Sequence, residues 1–405
     1  MGTLVNKYSP RYNAISIALL LGVLWYPFQD VALRIYTSRY DISVFLLLFV
    51  SAASLVKSGS MEKRSFYFLA IFIGIQALVF SVLNFAPLHR FISGLFFFGG
   101  LLTIFISRHK VHYRSIDIYK AVVLVTFVSA VLCVYDFLVI GGRPKGWFGE
   151  PSYAGLALYG ASLGLLGVAV ILDIDRSRKI RYFIASIFFF ITALMTLSTH
   201  IISYLVVFIF VIILRSSVRR ILPILLLGSI FLYSLVLVMN TPHFKSRLDF
   251  SGYSDNLSTL SWLRGLDQAQ AAIIASPVFG CGLGSTGFID FNSINLYSLH
   301  RLGLADLNLY DAYSLLFRVV VELGLPFLFI IIIYLYKELV EFRRYIYSAL
   351  FISDQFDIAV VFNFIFSSVL IVGSLLKEGN YSTSILFISV FLFFTSRSNR
   401  RYLAV

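Results

Sequence analysis

Apolar residues fall in runs of about 20, the length that crosses the hydrocarbon core of a bilayer, and such runs recur along the whole chain. Twelve begin near Ala14, Ile42, Phe66, Phe91, Ala121, Ser152, Tyr182, Ile201, Ile221, Ala312, Ile358 and Ser382. The pattern predicts an all-helical (all-α) polytopic membrane protein of about twelve transmembrane helices, folded as one membrane domain over residues 1–405. Most connections between runs are short. The exception is 240–311, and a connection longer than about 15 residues generally exists for a functional reason. Inside it, Ser258 or Ser261 can cap a helix that ends near Ala275, where Ser276-Pro277 stops it. At helical spacing Leu263, Leu266 and Ile273 share one face, and Arg264, Asp267 and Gln268 another. The apolar face is expected to rest on the membrane domain. Gly282-Leu-Gly284-Ser-Thr-Gly287 matches a dinucleotide fingerprint literally but lacks the surrounding strand–helix unit; it reads as a flexible turn whose glycines supply positive φ.

Composition sharpens this reading. The chain is 59% hydrophobic and 13% charged, about half the charged fraction of a soluble domain. Of its 33 Lys and Arg, 22 fall in alternate, inner connections and 10 in the outer ones, with Arg318 inside a run. That bias places both termini in the cytoplasm and the long loop outside. The net charge of +13 then reflects topology and contact with anionic membrane lipids, not nucleic acid. The first run lacks a small-x-small cleavage pattern and reads as an anchor. Two cysteines, Cys133 and Cys281, do not make a disulfide framework.

The ionisable residues near the outer ends of the runs are the candidates for chemistry. The third outer connection, 141–151, is a compact Gly/Pro turn that projects Arg143, Lys145 and Glu150. Glu150, between Gly149 and Pro151, can serve as general base on a hydroxyl, cap the following helix, or pair with Arg143. Arg264 can be a helix charge paired with Asp267 or Gln268, or an anion-binding group. Arg318 and Glu322 share a helix face in the tenth run, where ionisable groups are costly and turn inward. They can pair with one another, and Arg318 also lies about 10 Å along the helix from Asp311. His200, at a short outer turn, can bind phosphate, move a proton, or sit as a polar interfacial residue. His300, Arg301 and Asp311 form a further group near the end of the long loop. The outer aromatics, Trp147, Trp262, Tyr153, Tyr297, Tyr310 and Tyr313, suit an interfacial belt or stacking on sugars. Asp173-Ile-Asp175 lies among Arg176, Arg178 and Lys179 on the inner side, which disfavours a metal pair. No Walker motif or credible metal spacing appears, so no cofactor is expected.

Arg264, fifteen residues and then Gly280 in an outer loop is similar to the fifth-loop motif of Wzy-type O-antigen polymerases. Arg143, eleven residues and then Gly155 resembles that family's third-loop motif, which has ten between. Phe148-Gly-Glu-Pro-Ser-Tyr153, Asp311-Ala-Tyr and Glu322-Leu-Gly-Leu-Pro also resemble the wider O-antigen polymerase and ligase superfamily; the ligases usually carry histidine where this chain has Asp311. The resemblance implies a bacterial inner-membrane glycosyltransferase with its site facing the periplasm. Its substrates would be undecaprenyl pyrophosphate-linked oligosaccharide and polysaccharide, and a chain-length regulator and a flippase would be its partners. Arg143, Lys145, Arg264, Arg318 and His200 would then hold pyrophosphate. Glu150 or Asp311 would act as base, and Arg264 would stabilise the leaving group. An O-antigen ligase or a lipid-linked oligosaccharide flippase is the alternative.

Overall fold

The computed structural model describes residues 14–28, 32–35, 38–57, 63–83, 85–108, 111, 113, 115–214, 240, 242–247, 256–349, 355–378, 380 and 383–396. The ninth apolar run, from Ile221, lies outside them. Fifteen α-helices follow in chain order among the described residues: α1 (Ala14–Trp25), α2 (Ile42–Lys57), α3 (Lys63–Leu83), α4 (Leu88–Ser107), α5 (Ser115–Tyr135), α6 (Pro151–Ile171), α7 (Arg176–Met195), α8 (Ile201–Leu214), α9 (Pro242–Arg247), α10 (Leu257–Ala275), α11 (Ile294–Arg301), α12 (Leu315–Leu323), α13 (Leu325–Ala349), α14 (Gln355–Lys377) and α15 (Ser384–Thr395). The one departure from helix is an antiparallel hairpin between α1 and α2, of β1 (Ala32–Ile35) and β2 (Ser38–Asp41).

Among the described residues, four stretches are long and apolar enough to cross a membrane: Leu88–Ser107, Ser115–Ile140, Pro151–Ile171 and Gln355–Lys377. The second runs through α5 into a π-helical turn, Asp136–Ile140. α6 and α14 form the centre of the bundle. Gly160 and Gly164 on α6 face the rings of Phe366 and Phe362, and Gly167 faces Ile365, so the two backbones approach as closely as small residues permit. Phe342 of α13 stacks on Phe364 with ring centroids 3.8 Å apart, and the core continues through α15 and α4.

Local signals explain the ends of these elements. Pro151 at the first turn of α6 supplies a preset φ where the missing N–H is no loss. Asp175 caps α7 by accepting from the Arg178 amide. The tenth apolar run is not one helix. Gly324 (φ +81°) divides it into α12 and α13, so Arg318 and Glu322 sit on a helix of nine residues.

One end of the bundle gathers the C-termini of α1, α7 and α14 and the N-termini of α2, α6, α8 and α15. Ser384 ties α15 to both α1 and the hairpin, its hydroxyl donating to Tyr26 O and its amide to Asp41 Oδ2. Residues 256–314 cover this end. The opposite end carries Arg108, Lys120, Arg178, Lys179 and Arg181, and is tied there by Tyr113 to Thr395 and by Asn363 to Ser115 O.

Candidate active site

α10 extends as its sequence predicts, but its cap and its orientation differ. Asn256, one turn before the expected serines, accepts from the Ser258 and Thr259 amides. The face turned inward is Ser261, Arg264, Gly265, Gln268 and Ala272, all buried, whereas Leu263, Leu266 and Ile273 are only half-buried. Small residues let α10 pack tightly on α12 through this face, and the polar side chains go in with them.

Arg264 is therefore not a solvated helix charge. It has no exposed surface. Its Nη1 donates to Ala305 O at 2.7 Å and its Nη2 to Leu307 O, while Nε has no partner among the described residues. Asp267 pairs elsewhere, accepting from Asn295 Nδ2 at 2.7 Å. Burial lowers the pKa of the Arg264 guanidinium, and the charges of Asp311 and Asp306 oppose that shift. Both amide atoms of Gln268, the hydroxyl of Ser261 and Glu322 Oε2 are likewise buried without a partner among the described residues, the usual mark of a place for water or ligand.

The segment that Arg264 grips is strained. Four non-glycine residues among those described hold positive φ: Asn308 (54°), Ala312 (53°), Tyr313 (60°) and Leu197 (50°). Such conformations cost of order 1–3 kcal/mol each and collect at functional sites. Two of them directly follow Asp311, whose Oδ1 accepts from the Tyr313 amide at 2.9 Å. Ser314 Oγ then donates to Leu375 O at 2.6 Å and ties the segment to α14. Burial raises the Asp311 pKa, Arg318 and Arg264 pull it back, and Glu378 pushes it up again. Arg318 Nε donates to Glu322 Oε1 at 3.0 Å, and Thr286 donates to the same oxygen at 2.8 Å. The pairing expected between Arg318 and Glu322 is thus present, with Arg318 still within electrostatic range of Asp311.

The third connection reaches the same end by another route. Arg143 donates to Thr196 O at 3.0 Å and Leu197 O at 3.5 Å, which joins it to the strained turn between α7 and α8. Glu150 is exposed and accepts from Ser152 Oγ at 3.0 Å, neither capping α6 through its side chain nor pairing with Arg143. Lys145 is exposed. His200, the residue before α8, is buried, with Nε2 3.8 Å from Glu378 Oε1. Tyr153, on the first turn of α6, lies beside Glu378 and within the fields of Glu150 and Asp311. The structure therefore gathers Arg264, Asp311, Arg318, Tyr153, His200 and Glu378 at one end of the bundle, with Glu150 on their rim. His300 and Arg301 do not join them; both are exposed at the end of α11.

Glu378 is the member that sequence reasoning missed. Its signal was an ionisable pair, Lys377-Glu378, immediately ending the apolar run of α14. Burial is the main influence on its carboxyl, whose pKa rises from 4.5 to about 7.

Both motif glycines prove to be points of close approach. A Cβ on Gly155 would lie 2.5 Å from Ser198 Cβ and Thr196 Oγ1; one on Gly280 (φ +69°) would lie 2.5 Å from the backbone after Glu322. The glycine-rich turn is also packed, not flexible: residues 280–286 are buried, and Leu283 N donates to Gln76 Oε1 of α3 at 3.2 Å. Among the aromatics, Tyr310 lies under Arg90 at 4.7 Å, and Trp262 donates to Leu376 O at 3.3 Å, so both have structural partners. No protein-family model and no curated relative matches the chain.

Proposed function

We propose that this protein is a membrane glycosyltransferase that joins polyprenyl pyrophosphate-linked glycans, a polysaccharide polymerase with the clustered end of the bundle facing outward. The observation that carries the reading is the meeting of Arg264 and Arg318 with Asp311 on a strained segment at one end of an apolar helix bundle. Displacing a pyrophosphate from a sugar builds negative charge on the departing oxygen. Fixed guanidinium groups in a buried site stabilise that change without having to reorganise. Arg264 acts mainly through its charge and its hold on 305–307, because two of its nitrogens are engaged by carbonyls. Arg318, paired with Glu322 and 13% exposed, is the more accessible of the two cations. Arg143 braces the α7–α8 turn, and the acceptor hydroxyl attacks the anomeric carbon in line with the leaving group.

A groove of about 410 Å³ supports the lipid side of this reading. It is lined by Phe98, Phe105, Leu315, Val319, Phe327 and Leu375, and two of these, Leu315 and Leu375, adjoin the Ser314–Leu375 tie beside Asp311. An apolar chain laid there would have one end beside that tie.

The test is reconstitution of the purified protein with lipid-linked repeat units, a chelator and no nucleotide. A ladder of longer lipid-linked products is expected, and Arg264→Ala should abolish it while the protein still inserts. Transfer of finished glycan only to a lipid A-core acceptor would make the protein a ligase. Passage of unmodified units across liposome membranes, with no ladder, would make it a flippase.

A further inference from the structure

Resting on the glycosyl-transfer reading, we propose that Glu378 is the general base that deprotonates the acceptor hydroxyl, with Tyr153 and His200 as its positioning residues. Glu378 is the first residue beyond α14, its amide held by Ser374 O at 3.1 Å, so the side chain starts from a rigid helix end. The side chain is 14% exposed, enough for a substrate hydroxyl to reach it while most of it stays out of water. Tyr153, on the first turn of α6, lies beside the carboxylate. His200 Nε2 stands 3.8 Å from Oε1 on the turn that Arg143 braces. Position 373 beside it is glycine, where a Cβ would lie 2.4 Å from Leu156 Cδ1 and 3.1 Å from His200 Nδ1, so the imidazole is closely packed.

The other two carboxylates are placed for different work. Glu150 is exposed and already accepts from Ser152, so nothing holds it toward a substrate. Asp311 is engaged by the Tyr313 amide, which ties it into the strained segment, and lies within the fields of Arg318 and Arg264. The charged and titratable groups facing Glu378 are Tyr153 of α6, His200 of the α7–α8 turn, Asp311 of the segment before α12, and Lys377 of its own helix. Burial outweighs these and leaves the carboxyl titrating at about 7, where a general base is most effective at neutral pH.

In the step itself, the acceptor oxygen forms its bond to the anomeric carbon as the bond from that carbon to the pyrophosphate oxygen breaks. The electron pair of the broken bond leaves with the pyrophosphate, and the hydroxyl proton passes to the Glu378 carboxylate. Glu378 then returns the proton to water, and no oxidant, reductant or metal enters the balance.

The experiment compares wild type, Glu378→Gln and Glu378→Asp in the reconstituted ladder assay from pH 5.5 to 8.5. Wild-type kcat should rise with pH through about 7. Glu378→Gln should lower kcat at least about 100-fold, with KM for the lipid-linked donor within about threefold, and its residual rate should lose the pH limb. Glu378→Asp, with the carboxylate withdrawn by one methylene, should lose about tenfold in kcat and keep the limb; it serves as the test if the glutamine variant does not fold. A wild-type ladder with kcat undiminished in either variant overturns the assignment and leaves the polymerase reading standing. A wild-type protein that makes no ladder overturns both.

Discussion

Gly265 stands next to Arg264 on the buried face of α10, and replacing it with alanine tests how tightly the site is assembled. The added Cβ would lie 2.2 Å from Ala312 O, 3.0 Å from Ala312 C and 3.2 Å from Phe317 Cδ2. The nearest atoms are backbone, and Ala312 already holds φ +53°, so no flexible side chain can yield. Helix and segment must part by about 1 Å, an overpacking of the kind that costs about 1–3 kcal/mol. The same movement stretches the bonds from Arg264 to Ala305 O and Leu307 O, and losing one bond from a charged donor costs about 1.5–3 kcal/mol. Alanine's better helix propensity returns about 1 kcal/mol. The net loss is about 1.5–5 kcal/mol. Thermal unfolding in detergent, followed by circular dichroism, reads it against Gly74→Ala, where a Cβ meets nothing within 4 Å. The control should melt at or above wild type, and Gly265→Ala clearly below it, with its ladder activity lost. Melting of Gly265→Ala at or above wild type would refute the close docking of α10 on the Asp311 segment.

Arg264→Lys should also be destabilising, by about 1.5–3 kcal/mol, because an ammonium cannot serve both carbonyls with the geometry of a planar fork; a melt within error of wild type would contradict this. Arg318→Met leaves the fully buried Glu322 without its cation and should cost about 3–5 kcal/mol, whereas the double change with Glu322→Leu should recover most of that loss; a double-mutant cycle in the same melt reads the coupling. Stability should also depend on pH through Glu378. Its folded pKa, about 7, lies above the ordinary 4.5, so the folded state binds the proton more tightly. The stability this contributes is fully present below about 4.5 and is lost as pH rises through about 7. Glu378→Gln should flatten that part of the melting-temperature curve, leaving the slope of the same sign that Asp311 contributes.

The periodicity of apolar residues carried the helices, and Ser276-Pro277 marked where α10 stops, because both signals are local. The rotation of α10 could not be read the same way. Its inward face is decided by two carbonyls, Ala305 and Leu307, that lie about forty residues downstream and accept the Arg264 charge. Apolar residues on one face of a helix do not fix its orientation when the other face offers small residues to pack and a cation with ready partners. The break at Gly324 was within reach, since Gly324-Leu-Pro326 inside an apolar run is a helix-breaking signal. Glu378 was not: what distinguishes it is proximity to Tyr153 and His200, and only the packing of α6 against α14 creates that.

The glycine-rich turn finishes α12 from outside. Cys281 N donates to Val321 O and Gly282 N to Glu322 O, while Leu325 N donates back to Pro277 O, so the bonds join groups made forty or more residues apart. A ribosome delivers this turn before its partner exists. While residues 281–282 emerge, the carbonyls their amides will meet have not yet been made, whereas Gln76, the partner of Leu283 N, already has; Glu378 arrives later still. Assembly of this end of the bundle is therefore a late event in biogenesis, and a nascent chain halted between α11 and α14 would hold many finished helices and no working site.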